Sequence, residues 1–331
     1  MSRLVKLTAT VFLLSMSTLF AGDAFMGNYE GEYKTEAYDV GAIYAQVIAQ
    51  GNGSYRAVFR VGYNGKDAPG GSLVGNKEGN KVVFDGTIDV GYDLGGTYDV
   101  KGEIADSKFS GHFSGSEASG NITMNKVEKK SPTLGAKAPQ GAIVLFDGKD
   151  LNHWKGVKGG KAKWKLVKGG AMQVTKGSII SKEKFGDCKI HVEFRTPFMP
   201  KARGQKRGNS GVYVQGRYEV QVLDSFGLEG KDNECGGIYK IAAPKVNACL
   251  PPLQWQTYDI VFHAPKFDNT GHKIKNAVIT VKHNGILIHE QTEIPKSTGG
   301  AINKDESKPG GLMLQDHHNP VQYRNIWVLP L

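Results

Sequence analysis

GNSGVYVQGRYEVQVLDS, residues 208–225, is the stretch on which the reading of the fold turns. Apolar and polar residues alternate through SGVYVQG (210–216) and RYEVQVLDS (217–225), the period of a strand with one buried face. Glu219 and Gln221 stand two apart and therefore share a face, about 6.6 Å apart by strand rise. Asp224 lies five positions after Glu219 and faces the other way unless a bulge intervenes.

The same alternation recurs on both sides. Upstream are KWKLVKG (163–169), AMQVTKG (171–177) and KIHVEFRTPF (189–198). Downstream are WQTYDIVFHA (255–264), AVITVKHNG (277–285), ILIHEQTEI (286–294), GLMLQDHH (311–318) and YRNIWVLPL (323–331), with Asn284-Gly285 as a hairpin signal. Ten or more antiparallel strands over roughly 190 residues predict two packed sheets, a jelly-roll sandwich. Longer loops at 197–209, 226–253 and 295–310 interrupt the pattern, and such loops commonly carry a binding site.

Residues 25–128 form a second region of short alternating stretches, among them AIYAQVIAQ (42–50), SYRAVFRVG (54–62), NKVVFDGTI (80–88) and SKFSGHFSG (107–115). Asn52-Gly53, Asn64-Gly65 and Asp85-Gly86 read as turns. The expectation is a small antiparallel β domain, a sheet or barrel of about six to eight strands. It shows no catalytic motif. Tyr29, Tyr33 and Tyr38 fit sheet packing better than sugar stacking. Between the two regions, 129–140 is charged, proline-containing and poor in large apolar side chains, and reads as a linker.

Residues 1–21 begin with Arg3 and Lys6, continue through an apolar run from Val11 to Phe20, and end in small residues. That is the layout of a signal peptide, predicting export to a periplasmic or extracellular compartment. The run is short of the ~20 residues of a spanning helix, so no stable membrane insertion is expected. The 331-residue chain has a formal charge of +10, but its lysines are dispersed and it contains no zinc finger, RNA-recognition signature or basic helix. Nucleic acid is therefore not an expected partner; contact of the basic surface with an acidic polysaccharide stays open. Of the three cysteines, Cys188 opens a buried-type strand, whereas Cys235 and Cys249 flank one loop and are expected to form a disulfide in an oxidising compartment.

Six ordered blocks carry a family likeness: FDGKDLNHW (146–154), KFGDCKIHVEFRTP (184–197), GNSGVYVQGRYEVQVLDS (208–225), CGGIYKIAAP (235–244), WQTYDIVF (255–262) and LQDHHNPVQYRNIWVLPL (314–331). Residues 141–331 resemble the 3-keto-disaccharide hydrolase family, a former domain of unknown function; residues 25–128 show no comparable likeness. The resemblance implies an all-β fold, a concanavalin A-like jelly roll of the lectin and glucanase type, and activity on glucosides or oligosaccharides whose C3 hydroxyl is already a ketone. Some family members are hydrolases and related ones lyases.

A C3 ketone acidifies the C2 hydrogen, so a base can remove it and the C1 oxygen then leaves by elimination. Water adding to the enone makes the outcome net hydrolysis. This chemistry needs a base near C2, a donor or metal for the enolate oxygen and an acid for the leaving group. Glu219, Asp224 and His318 are the catalytic candidates. The 219–224 spacing is similar to the Glu-x-Asp-x-x-Glu signature of laminarinases, but Gln221 replaces the central acid and Asp224 the last Glu, which speaks against a retaining mechanism with carboxyls about 5–5.5 Å apart.

Candidate substrate contacts are Arg195, Asn209, Gln221, Tyr239 and Arg324. Arg195 fits a sugar or enolate donor and equally a carboxylate partner; Asn209 fits a hydroxyl contact or a turn cap; Arg324 fits a donor or an internal ion pair. Asp316 and His318 fit a divalent metal, a proton-transfer pair, or a hydrogen-bonded strand end. Trp255 fits core better than a sugar platform. Two other readings stay open: a non-catalytic lectin-like binding protein and an ordinary endo-glucanase.

Overall fold

The computed structural model describes residues 22–37, 39–63, 66–90 and 96–331, without the side chains of 62–69. The leader (1–21), Tyr38 and the Asn64-Gly65 turn signal lie outside the described residues.

The first region is a closed barrel of eight antiparallel strands, β1 (Gly27–Thr35), β2 (Val40–Gly51), β3 (Ser54–Tyr63), β4 (Lys66–Glu78), β5 (Lys81–Val90), β6 (Gly96–Ala105), β7 (Lys108–Gly115) and β8 (Ser119–Val127), each paired with the next and β8 with β1. Closure removes the free edges that an isolated sheet would expose. Asn52 and Gly53 both take positive φ and turn β2 into β3, as a two-residue hairpin requires. Asp85-Gly86 is not a turn: both residues sit inside β5, paired across to β6. A glycine within a strand marks close approach as well as a turn.

The second region is a sandwich, the expected jelly-roll class. One sheet has the order β10 (Trp154–Gly156), β13 (Ile179–Ser181), β22 (Met313–Leu314), β15 (Ser210–Val214), β16 (Tyr218–Val222). The other runs β11 (Lys165–Val167), β12 (Ala171–Gln173), β23 (Gln322–Pro330), β14 (Cys188–Arg195), β17 (Gln256–His263), β20 (Ala277–His283), β21 (Ile286–Ile294), with β9 (Ile143–Phe146) also on β23. A short hairpin, β18 (Lys266–Phe267) and β19 (Lys273–Lys275), stands apart.

The core lies between the sheets. Tyr218, Val220 and Val222 of β16 meet Phe194, Tyr258 and Phe262 of the large sheet, with the Tyr218 and Phe262 rings 5.3 Å apart. Each such buried aromatic contributes on the order of 2–3 kcal/mol of burial free energy. Alternation then turns Glu219 and Gln221 to the outer face of the small sheet. By the same rule Glu193 and Arg195 face outward from the large sheet, on the opposite side of the sandwich.

The linker expectation for 129–140 needs correcting. Ser131 is buried and its hydroxyl lies 2.6 Å from Thr257 Oγ1; Thr133 Oγ1 donates to Asp259 Oδ2 at 2.7 Å. Gly135 N donates to Glu193 Oε1, and Ala136 O accepts from Asn325 and Trp327. The segment is laid along the outer face of the large sheet by hydroxyls and main chain, which a count of large apolar side chains does not register.

Candidate active site

β15 and β16 are joined by Gln215, Gly216 and Arg217, the first two at positive φ, so their register is set by a three-residue turn. The register places Tyr213 opposite Glu219 and Gly211 opposite Gln221. β22 adds Met313 opposite Tyr213, and Gln315 N donates to Gly211 O. The outer face of the small sheet is thereby floored by Tyr213, Glu219, Gln221 and Gln315.

Glu219 is only 3% exposed. Its Oε1 lies so close to Gly211 that a Cβ there would sit 2.3 Å from it, so any side chain at 211 would displace the carboxylate. Burial pushes the Glu219 carboxyl up to about 8, against the pull of the neighbouring Tyr213 hydroxyl. Tyr213 OH donates to Gly299 O at 2.9 Å and accepts from Gln315 Nε2 at 3.0 Å. Gly300, at φ +78°, lies over that hydroxyl, where a Cβ would approach it to 2.6 Å. Thr298 fastens the 295–301 loop to the strand: its hydroxyl accepts from Glu219 N and donates to Arg217 O, both at 2.9 Å.

A line of amides continues from the carboxylate. With its nitrogen toward Glu219, the Gln221 amide donates to Oε1 at 2.8 Å and to Ser210 O at 3.2 Å. Gln205 lies 3.0 Å away on the other side. Asn209 Nδ2 donates to Gln205 O at 2.8 Å, and Asn209 N donates to Asn319 Oδ1 at 2.7 Å. The 197–209 loop thus ends in the floor of the site.

Asp224 does not join it. The residue follows β16, is buried, and accepts from Arg207 Nε at 2.7 Å. Burial raises its carboxyl while the guanidinium opposes that rise. Its expected catalytic part is corrected to an anchor for the 197–209 loop. Arg195 and Arg324 are corrected as well. Arg195 Nε donates to Gln322 Oε1, Arg324 Nε to Glu193 Oε2 at 2.6 Å, and the two guanidinia stack on Trp255 at 4.8 and 4.1 Å from its ring centre. All belong to the outer face of the large sheet, across the core from Glu219.

Residues 141–329 match the model of the 3-keto-alpha-glucoside-1,2-lyase-like domain. The chain belongs to this family. A glycosidase-type function follows from that membership. Among solved structures, the lyase-like chain is similar to a proposed glycosyl hydrolase from Parabacteroides distasonis, with 40% identity, a TM-score of 0.55, and coverage of 59% of this chain and 85% of that one. A second proposed glycosyl hydrolase from the same organism aligns at 19% identity and a TM-score of 0.45, over 61% of this chain and 100% of that one, a likeness too slight to build on. No curated protein sequence matches the chain.

In the lyase-like domain the LQDHH stretch is not a continuing strand. β22 stops at Leu314, and His318 is exposed at φ +64°. Asp316 Oδ1 accepts from His318 N in a local turn, and Oδ2 accepts from Gly177 N of a distant segment. Among the described residues no group of three or more His, Cys, Asp or Glu side chains is placed to hold a metal ion, and the Asp316 carboxylate is engaged by main-chain N–H groups. His318 is exposed, one residue before Asn319, whose side chain accepts from Asn209 N. Tyr239 is half-buried at the rim: its N donates to Glu219 O at 3.3 Å, and its ring edge lies beside Gly299.

The expected Cys235–Cys249 disulfide is also corrected. All three thiols are free and buried. Cys235 Sγ lies 3.2 Å from Tyr258 OH, and Cys249 Sγ lies 3.7 Å from Leu223 O and 3.5 Å from Leu250 O. Tyr213, Gln205, Gln315 and Arg207 were not singled out from sequence. The hairpin register around Gln215-Gly216 carries the signal for Tyr213; Gln205 reaches the floor from the adjoining 197–209 loop and Gln315 from beyond β22, while Arg207 stays outside it as the partner of Asp224.

Proposed function

We propose that the lyase-like domain cleaves the glycosidic bond of 3-keto-glucosides or 3-keto-disaccharides by elimination, with Glu219 as the base. One observation carries this reading: the floor of the site holds a single carboxylate. The neighbouring position on its face is Gln221, and Asp224 is bound to Arg207, so the pair of carboxyls that an ordinary glucanase needs is absent from this face. Elimination from a 3-keto sugar needs only one base.

Glu219 takes the C2 hydrogen as a proton, and the C–H electron pair forms the enolate across C2 and C3. The C3 carbonyl then re-forms, a C1–C2 double bond appears, and the C1–O bond breaks with its electrons on the aglycone oxygen. A proton neutralises that oxygen, and protonated Glu219 is placed to return the one it took. Water adding at C1 completes net hydrolysis. The Gln221 and Gln315 amides and the Tyr213 hydroxyl supply polar contacts for sugar and enolate oxygens. A carboxyl held near 8 is a stronger base than an exposed one, suited to a carbon acid. We further infer from the leader in 1–21 that the enzyme works outside the cytoplasm.

The test is turnover of a 3-keto-disaccharide beside its unoxidised parent. Cleavage of the first with near silence on the second supports the reading; equal rates overturn it. Glu219→Gln should lower turnover of the keto substrate by about 10²-fold or more, with binding better preserved.

A further inference from the structure

The barrel interior divides into two halves of different character. Toward the end that contacts the sandwich it is filled: Phe59, Phe84 and Phe109 pack ring against ring with centroids 5.7–5.9 Å apart, at 0–1% exposure. This end is fixed by Arg203 Nη2 donating to Gln50 O and Arg207 Nη1 to Ala49 O. Among the described residues the opposite half is hollow. An open cavity of about 560 Å³ is walled by Tyr33, Tyr98, Phe113, Ile43, Val61 and Val90. Its wall residues reach 6–8% exposure at Val90, Val61, Tyr98 and Phe113, so solvent enters where the other half is sealed.

An eight-stranded barrel is just wide enough either to be plugged by its own side chains or to hold one small molecule. The volume here lies within the range of small-molecule pockets. Water gains little in such an apolar space, so a ligand that displaces it is favoured by burial on both sides. Phe113 is packed edge-on by Tyr33 and Tyr98, at 6.1 and 5.8 Å, which gives the wall fixed aromatic faces. At the mouth stand Asp39 and Glu117, both exposed and without an ion pair among the described residues. Their charge disfavours an anionic head group.

We propose that the hollow half of the barrel is a binding site for one small amphiphile with an aliphatic or aromatic body and an uncharged or cationic head. The site is independent of the Glu219 chemistry and lies at the end of the barrel away from the sandwich contacts.

The test uses the full chain and N-phenyl-1-naphthylamine, a neutral fluorescent probe. Its fluorescence should saturate at one probe per chain. Dodecanol and dodecyltrimethylammonium, held below its micelle concentration, should displace it better than laurate. Val90→Trp fills the cavity and should weaken probe binding by about tenfold or more, while far-UV circular dichroism stays that of the parent. Should that variant not fold, Asp39→Lys with Glu117→Lys changes only the mouth and should reverse the order of laurate and dodecyltrimethylammonium. Absence of saturable fluorescence, parental probe binding in folded Val90→Trp, or an unchanged order in the double variant would each overturn the assignment.

Discussion

Arg207 and Asp224 form a buried pair, Nε to Oδ2 at 2.7 Å, and the same guanidinium reaches Ala49 O of the barrel through Nη1 at 3.3 Å. One side chain therefore ties the end of β16, the 197–209 loop and the β2 end of the barrel. Removing one partner leaves a charge without its counterpart in a dry setting. Asp224→Ala should cost about 3–5 kcal/mol of stability, read as a lower midpoint in denaturant unfolding. Because Asp224 holds the loop rather than substrate, the folded variant should keep a measurable rate on a 3-keto-disaccharide. A loss as deep as that of Glu219→Gln in a variant of parental stability would return Asp224 to the chemistry.

With Glu219 as the proposed base, its titration sets the expected pH dependence. Its carboxyl is raised from the ordinary 4.5 to about 8 by burial. The base form therefore accumulates as pH rises, and kcat/KM should climb through about pH 8 to a plateau. A profile flat from pH 6 to 9 would remove Glu219 as the titrating base.

The same shift bears on stability. Between pH 4.5 and 8 the folded chain holds a proton that the unfolded chain has released. This contribution is present in full below 4.5 and is lost as pH rises through 8, by an amount of order a few kcal/mol. Glu219→Gln cannot titrate there. Its melting temperature relative to the parent should be higher at pH 9 than at pH 5, and an identical difference at both would contradict the burial of the charge.

Tyr213→Phe deletes the hydroxyl whose pull opposes the rise at Glu219. The kinetic midpoint should move further alkaline, with lower activity at pH 7 and partial recovery at pH 9. Loss of the bonds to Gly299 O and Gln315 should cost about 1–2 kcal/mol. A midpoint that stays in place would show that the hydroxyl does not act on Glu219.

The three thiols are buried and free, and burial pushes Cys188 up to about 12. A thiol reagent should count none promptly in the native chain and three after unreduced denaturation. One thiol after denaturation would restore the Cys235–Cys249 disulfide. Residues 131–136, hydrogen-bonded along the large sheet, should likewise resist a protease that would cut a free linker quickly.

Alternation in GVYVQGRYEVQV was enough to determine β15, β16 and the outward direction of Glu219 and Gln221, because strand side chains have period 2 whatever surrounds them. Paired positive-φ positions at Asn52-Gly53 and Asn284-Gly285 made two hairpins legible in the same local way. Asp85-Gly86 read identically and lies mid-strand, because both residues pair across to Lys101 and Val100 of β6 instead of turning the chain. Arg195 alternates as cleanly as Glu219, and Arg324 precedes a bulge at Asn325, yet both lie across the core from Glu219. Period 2 says which side of a strand a residue takes, and only long-range packing decides which of two sheets that strand joins. The anchoring of 131–136 by Thr257, Asp259 and Glu193 and the capture of Asp224 by Arg207 depend likewise on groups far apart in the chain. Their hydrogen bonds exist only once both sheets and the barrel are in place, so the tertiary structure alone decided them.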